Sequence, residues 1–214
     1  PVIISKQKND VRELLIKKAK NELAPLIEVK KTSNIKLFSN GTSFNYRNKI
    51  YSTILLGEHQ ARNASLAIEA MRSYDKEISY KIIKKGLNNV FWPGRIQKIY
   101  KNIYFDVAHN EESIRSLIST LKNIFPKKSL FGLFCLKGDK DISSISKELL
   151  NVFDKLFICD DKDNFLLKKE LLSKKLNKYN VKNIIVKSID IGINELKTFT
   201  LNNGIGLIFG SHYI

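Results

Sequence analysis

The chain is poor in several residue types, and each shortage narrows its possible roles. Its 214 residues include two cysteines, Cys135 and Cys159, both inside apolar, strand-like runs, LFGLFCL and KLFICD. Neither has CxxC spacing or neighbouring histidines, so the sequence signs of a zinc or redox motif are missing, and buried thiols in a reducing compartment are expected. His59, His109 and His212 sit at three separate element ends without HxxxH or HxH spacing, so no metal site is expected, although they could converge with Asp106. No apolar run approaches the roughly 20 residues of a membrane-spanning helix, and no signal-peptide pattern is present. A cytoplasmic protein that does not engage a membrane is expected. Pro1 at the start and a single methionine, Met71, read as a piece of a longer polypeptide.

Acidic residues are also scarce: 21 Asp and Glu stand against 37 Lys and Arg, for a formal charge of +16. Such a surplus invites a nucleic-acid partner, because basic surfaces release counterions from polyanions. Only six of the basic residues are arginine, however, and the lysines are scattered among carboxylates, as in KKSL, SKEL and KKELLSKKL. Solvated helix faces explain that pattern, and no RNP-like or basic helix-turn-helix signature is found. Nucleic acid is therefore not an expected partner.

What is present supports a globular protein, since 43% of the residues are hydrophobic. A strand over 2–5 leads to an amphipathic helix opened by Asn9 or Asp10, with Val11, Leu14, Leu15 and Ala19 on one face. Residues 25–56 read as short β runs with turns at Asn40-Gly41 and Arg47-Asn48. A helix over 58–71 and another over 78–85, closed by Gly86, follow. After the Trp92-Pro93-Gly94 break come two strands, RIQKIY and IYFDVA, joined at Lys101-Asn102. Apolar strands (SLFGLFCL, KLFICD, VKNIIVK and GIGLIFG) then alternate with helices at about 111–124, 142–153, 166–177 and 190–202. Near-continuous apolar strands separated by helices predict a mostly parallel, Rossmann-like α/β sheet, with a domain boundary near Trp92.

Ligands of such sheets gather beyond the carboxyl ends of the strands, which selects few residues. In DVAHN (106–110) a strand ends and a helix opens: Asp106 can accept hydrogen bonds from ribose hydroxyls, and Asn110 is a good N-cap. The same residues can equally serve to cap and orient the turn. In PGR (93–95) the turn places Arg95 at a defined point, where a guanidinium can bind phosphate or remain a surface charge. In GEHQARNA (57–64) Asn63 lies one helical turn after His59, and its amide suits an adenine edge as well as a plain helix start.

These motifs in this order, together with DKD (139–141) and GS (210–211), resemble the folylpolyglutamate synthase and dihydrofolate synthase branch of the Mur ligase family. The resemblance covers the whole chain. It implies that residues 1–92 are the end of an incomplete central, ATP-binding α/β domain, and that 93–214 are the Rossmann-like C-terminal domain. It further implies an ATP-dependent ligase that joins glutamate to dihydropteroate or to folates through an acyl phosphate, with Mg2+ and expected as a monomer when complete. Residue by residue, Asn63 would face adenine, Arg95 the phosphates and Asp106 the ribose. His109 would be the catalytic and substrate-binding histidine near the glutamate or terminal phosphate, with Ser211 closing the site. Two departures stand out: Glu111 replaces the proline usual after AHN, and the chain stops sooner than family members do. The phosphate loop, magnesium ligands and most of the folate pocket would lie upstream, so the isolated chain should be inactive. The rivals are a cell-wall amino-acid ligase of the same superfamily and a non-catalytic nucleotide- or nucleic-acid-binding module.

Overall fold

The opening VII is rich in β-branched residues, which suit a pleated surface, and it forms β1 (Val2–Ile4). In this computed structural model, which describes residues 1–213, α1 (Asn9–Asn21) follows and leads into β2 (Leu26–Glu28), paired parallel with β1. Of the four residues expected on the apolar face of α1 only Ala19 is buried, and Leu14 is 66% exposed.

Strands β3 (Ser33–Phe38), β4 (Gly41–Tyr46) and β5 (Lys49–Thr53) form an antiparallel sheet. Arg47 and Asn48 both have positive φ, 47° and 60°, which gives the two-residue turn whose twist suits a hairpin. Helix α2 (Glu58–Tyr74) lays Ala61, Ala64 and Ile68 against Phe44, Tyr46 and Tyr51, small residues letting the aromatic face close on the helix. Helix α3 (Tyr80–Asn88), capped by Ser79, adds Ile83 to this core. It runs past the expected stop: Gly86 lies inside the last turn and Asn89 is the cap.

The chain divides into two compact units at the Phe91/Trp92 junction. The second begins with β6 (Gln97–Tyr100) and β7 (Ile103–Asp106), an antiparallel pair. Then α4 (Glu111–Ile124), β8 (Leu130–Phe134), α5 (Ile142–Leu149), β9 (Lys155–Ile158), α6 (Lys169–Asn177), β10 (Ile184–Ile185), α7 (Ile189–Thr200) and β11 (Ile205–Phe209) alternate. The sheet order is β10-β9-β8-β11-β7-β6, and only β6 runs antiparallel. Every residue of β8 and β11 is buried, as strands covered on both faces must be.

Three local expectations miss here. Helix α5 ends at Leu149 rather than near 153, and Asn151 takes a left-handed φ of 56°. Helix α6 starts at Lys169 rather than 166, because the Asp161 carboxylate accepts the backbone N–H groups of Phe165 (2.9 Å) and Leu166 (2.8 Å) and holds the preceding residues in a loop. VKNIIVK contributes a strand of two exposed residues at the sheet edge.

One feature of the register positions everything that follows. Ile158, Phe134, Phe209 and Asp106 are successive partners across β9, β8, β11 and β7. Four neighbouring parallel strands therefore end in one row, and the loops after them leave from a common edge.

Candidate functional site

Asp106 closes β7 and is buried, 7% exposed. One oxygen, Oδ2, accepts the N–H of Ile96 at 2.8 Å, and the other, Oδ1, accepts that of Ala108 at 2.7 Å. Burial pushes the Asp106 carboxyl above its ordinary value, while those two N–H groups, and less strongly the charge of Arg95, pull it back. The capping role open to this residue is thus filled, and each carboxylate oxygen keeps a second lone pair for a ligand hydroxyl.

The same carboxylate places Arg95. Gly94 has a left-handed φ of 68°, its N–H donates to Gln97 Oε1 (3.0 Å), and its carbonyl accepts the N–H of Val107 (3.0 Å). With the Ile96 bond, two hydrogen bonds fasten the Pro93-Gly94-Arg95 turn to the end of β7, and the Gln97 bond closes the turn onto the start of β6. The half-buried Arg95 is consequently held on the edge where β7 ends.

Beyond Val107 and Ala108, both buried, Asn110 caps α4 by accepting from Ser113 N–H at 2.9 Å. Ser113 Oγ in return accepts the N–H groups of Asn110 and His109, each at 3.2 Å, which completes a capping box. Glu111, at the position where proline is usual, leaves this helix start intact and pairs with Arg115. The His109 ring lies 2.8 Å through Nδ1 from the carbonyl oxygen of Val107. A carbonyl can only accept, so Nδ1 carries the proton and Nε2 of the neutral ring is left with its lone pair.

From β11 the chain turns through Gly210, with φ 112°, where an added Cβ would lie 1.8 Å from the carbonyl oxygen of Cys135. Ser211 is 4% exposed, and its Oγ accepts the N–H of Tyr213 at 3.1 Å. His212 is exposed and faces His109, with ring centroids 5.9 Å apart and planes at 55°. Tyr213 stacks on Phe165, from the loop after β9, at 4.9 Å and 13°. After β8, Asp141 caps α5 by accepting from Ser143 N–H at 3.0 Å, and Asp139 pairs with Lys140 at 3.5 Å.

The second unit therefore brings Arg95, Asp106, His109 and Ser211 to a single sheet edge. Asn63 belongs to the first unit, on the exposed side of α2, where its Nδ2 donates to Gln60 Oε1 at 3.3 Å. Sequence reading missed the roles of Gln97, Ser113 and Asp161. The capping-box serine three residues after Asn110 was the one of these with a local signal. Of the three histidines considered together, only His109 and His212 meet within one unit. Among the described residues no group of three or more His, Cys, Asp or Glu side chains could hold a metal ion.

Comparison with known proteins gives a consistent picture. The model of the Mur ligase, glutamate ligase domain family matches residues 94–212. A dihydrofolate synthase/folylpolyglutamate synthase of Bacillus subtilis is 34% identical over 116 residues, covering 50% of this chain and 27% of that protein. One from Buchnera aphidicola is 30% identical over 174 residues, covering 78% of this chain and 42% of that protein. The crystal structure of Mycobacterium tuberculosis folylpolyglutamate synthase complexed with ADP and AMPPCP superposes with a TM-score of 0.86 at 22% identity, over 98% of this chain and 52% of that one. The chain spans about half the length of that structure and less than half of those two sequence relatives.

Proposed function

The chain belongs to the Mur ligase glutamate ligase domain family, and on that premise we propose that it is the C-terminal half of a folylpolyglutamate synthase or dihydrofolate synthase. Residues 1–92 are then the end of the central domain and 93–214 the glutamate ligase domain. The observation that carries this reading is the fastening of the PGR turn to the end of β7, which holds the Arg95 backbone on the sheet edge that carries Asp106, close enough for its charge to act on that carboxyl.

In the complete enzyme, ATP supplies a phosphoryl group that turns the pterin substrate's carboxylate into an acyl phosphate, and the glutamate amine displaces phosphate to form an amide. A carboxylate is a poor electrophile, so this activation is required. Arg95 would grip phosphate oxygens, with its planar fork suited to two at once. Asp106 would accept ribose hydroxyls with the lone pairs its backbone contacts leave unused, and Asn63 would meet the adenine edge. His109 is the catalytic histidine in this scheme: its Nε2 lone pair, fixed by the Nδ1–H bond to Val107, can accept a proton from the glutamate ammonium. Ser211 would line the same site. Positioning of the amine against the acyl phosphate is the main catalytic contribution of such residues. Mg2+ would be held by residues outside this chain, which is why the chain alone should show no turnover.

ATP consumption by the complete protein, measured with glutamate and either dihydropteroate and folates or a muramyl peptide, tests the proposal. Stimulation by the pterin acceptors is expected. Stimulation by the muramyl peptide alone would transfer the chain to the cell-wall branch.

A further inference from the structure

The imidazoles of His109 and His212 meet at the carboxyl edge of the sheet, and the ligase reading uses His109 but gives His212 no part. Their centroids are 5.9 Å apart and their planes tilted by 55°. Two imidazoles on one tetrahedral ion, each with nitrogen about 2.0 Å from the metal, place their ring centroids about 5–6 Å apart. The centroid separation of the two rings falls within that range.

The orientation of His109 adds an independent point. Ligating histidines almost always donate their second ring N–H to a carbonyl or carboxylate, which fixes the tautomer and aims the other nitrogen outward. His109 does this through Nδ1 and the Val107 carbonyl at 2.8 Å. That carbonyl belongs to a buried residue at the end of β7, so the ring is built on the sheet rather than on a mobile loop. His212 approaches from the exposed turn after β11, held nearby because Gly210 lets the chain pass close over the Cys135 carbonyl.

We propose that His109 Nε2 and the His212 ring together bind one borderline transition-metal ion, of the class of Ni2+, Zn2+ or Cu2+, at the carboxyl edge of the sheet. Imidazole nitrogen suits these ions, while Mg2+ and Ca2+ prefer oxygen. No third His, Cys, Asp or Glu joins the pair among the described residues, so solvent completes the coordination and the ion exchanges readily. The inference does not depend on the ligase assignment, because it needs only the two rings, and an ion on Nε2 would block the proton-accepting role that the ligase reading gives that nitrogen.

Calorimetric titration of the 214-residue chain with NiCl2, and separately with ZnCl2, tests it against the His212→Ala, His109→Gln and His59→Ala variants. The wild type should take up one ion saturably at micromolar concentrations, and His212→Ala and His109→Gln should each weaken binding by at least about tenfold. His59→Ala should bind as the wild type does. His212 is exposed, so its replacement leaves the fold intact and a loss of affinity reports the ligand. Absence of saturable binding by the wild type, or undiminished binding by His212→Ala, overturns the proposal.

Discussion

Asp106 holds Ile96: the carboxylate at the end of β7 accepts the N–H of a β-branched residue ten positions earlier, at 2.8 Å. Ile96 has a φ of 46°, in a region that β-branched side chains avoid at a cost of about 1–3 kcal/mol. The bond to Asp106 offsets part of that cost, and the side chain is buried (3% exposed), which offsets more. Arg95, between strained Ile96 and left-handed Gly94, inherits a fixed position.

Asp106→Asn should therefore destabilise the chain by about 1–3 kcal/mol, because an amide can accept at only one of the two positions and leaves a buried N–H facing a donor. Urea unfolding measures this. A cost below about 0.5 kcal/mol would mean the two bonds to Ile96 and Ala108 are dispensable.

Arg95→Ala should behave in the opposite way. The loss of stability is expected to stay within about 0.5 kcal/mol, since the guanidinium makes no hydrogen bond or ion pair among the described residues. In the complete enzyme the same change should raise the KM for ATP by about 10-fold or more, the worth of a charge-assisted hydrogen bond. Unchanged ATP kinetics would remove Arg95 from the proposed site.

The first unit carries the clearest pH dependence. Glu69, 4% exposed at its side chain, accepts hydrogen bonds from Tyr46 Oη and from Arg47 Nε and Nη2. Burial alone would raise the Glu69 carboxyl, but Arg47 and Tyr46 outweigh it and hold the group below its ordinary value. Burial first, and the neighbouring carboxylate second, push the Tyr46 hydroxyl up to about 12. A lowered carboxyl contributes stability that is complete above its ordinary value and is lost as pH falls through the folded one. Glu69→Gln should cost about 2 kcal/mol near neutral pH, less than for a fully buried pair because Arg47 is 39% exposed. The gap between variant and wild type should shrink as pH falls through the lowered Glu69 carboxyl; a constant gap in unfolding free energy on acidification would refute the assignment.

Two glycines should respond in opposite senses. Gly210→Ala drives a Cβ to 1.8 Å from a backbone oxygen at a left-handed φ, and a loss of more than about 3 kcal/mol is expected. Gly86 lies within α3 with nothing within 4 Å of an added Cβ, so Gly86→Ala should stabilise by about 0.5–1 kcal/mol. Thermal unfolding of both variants checks the pair.

Cys135 and Cys159 follow the adjacent strands β8 and β9, both fully buried and free. The hydrogen bond with Cys159 and burial push the Cys135 thiol well above its ordinary value, and a thiol held protonated is a poor nucleophile. A disulfide-exchange reagent should label neither thiol in the native chain and both after denaturation. Rapid labelling of the native chain would show that this core opens.

Much of the candidate site could be read locally. Asp106, Asn110 and Gly210 sit at strand ends and helix starts because turn, cap and periodicity signals act over a few residues. Gln97 and Asp161 could not be assigned this way. A glutamine that accepts the N–H of Gly94, or an aspartate that delays a helix by accepting from Phe165 and Leu166, looks in sequence like any polar residue near a turn. The same limit explains α1, whose apolar pattern was legible while the exposure of Val11 and Leu14 was not.

Residue order alone determined the alternation of strands and helices after Trp92, the burial of those strands on both faces, and the motifs that mark the family, since each depends on side-chain chemistry within a short span. Tertiary structure decided that the last strand inserts between β7 and β8. That choice is non-local, made by which strands bury the most surface together. It aligns Asp106 with Phe209 and Phe134, sets His212 beside His109, and makes one edge out of residues the chain keeps far apart.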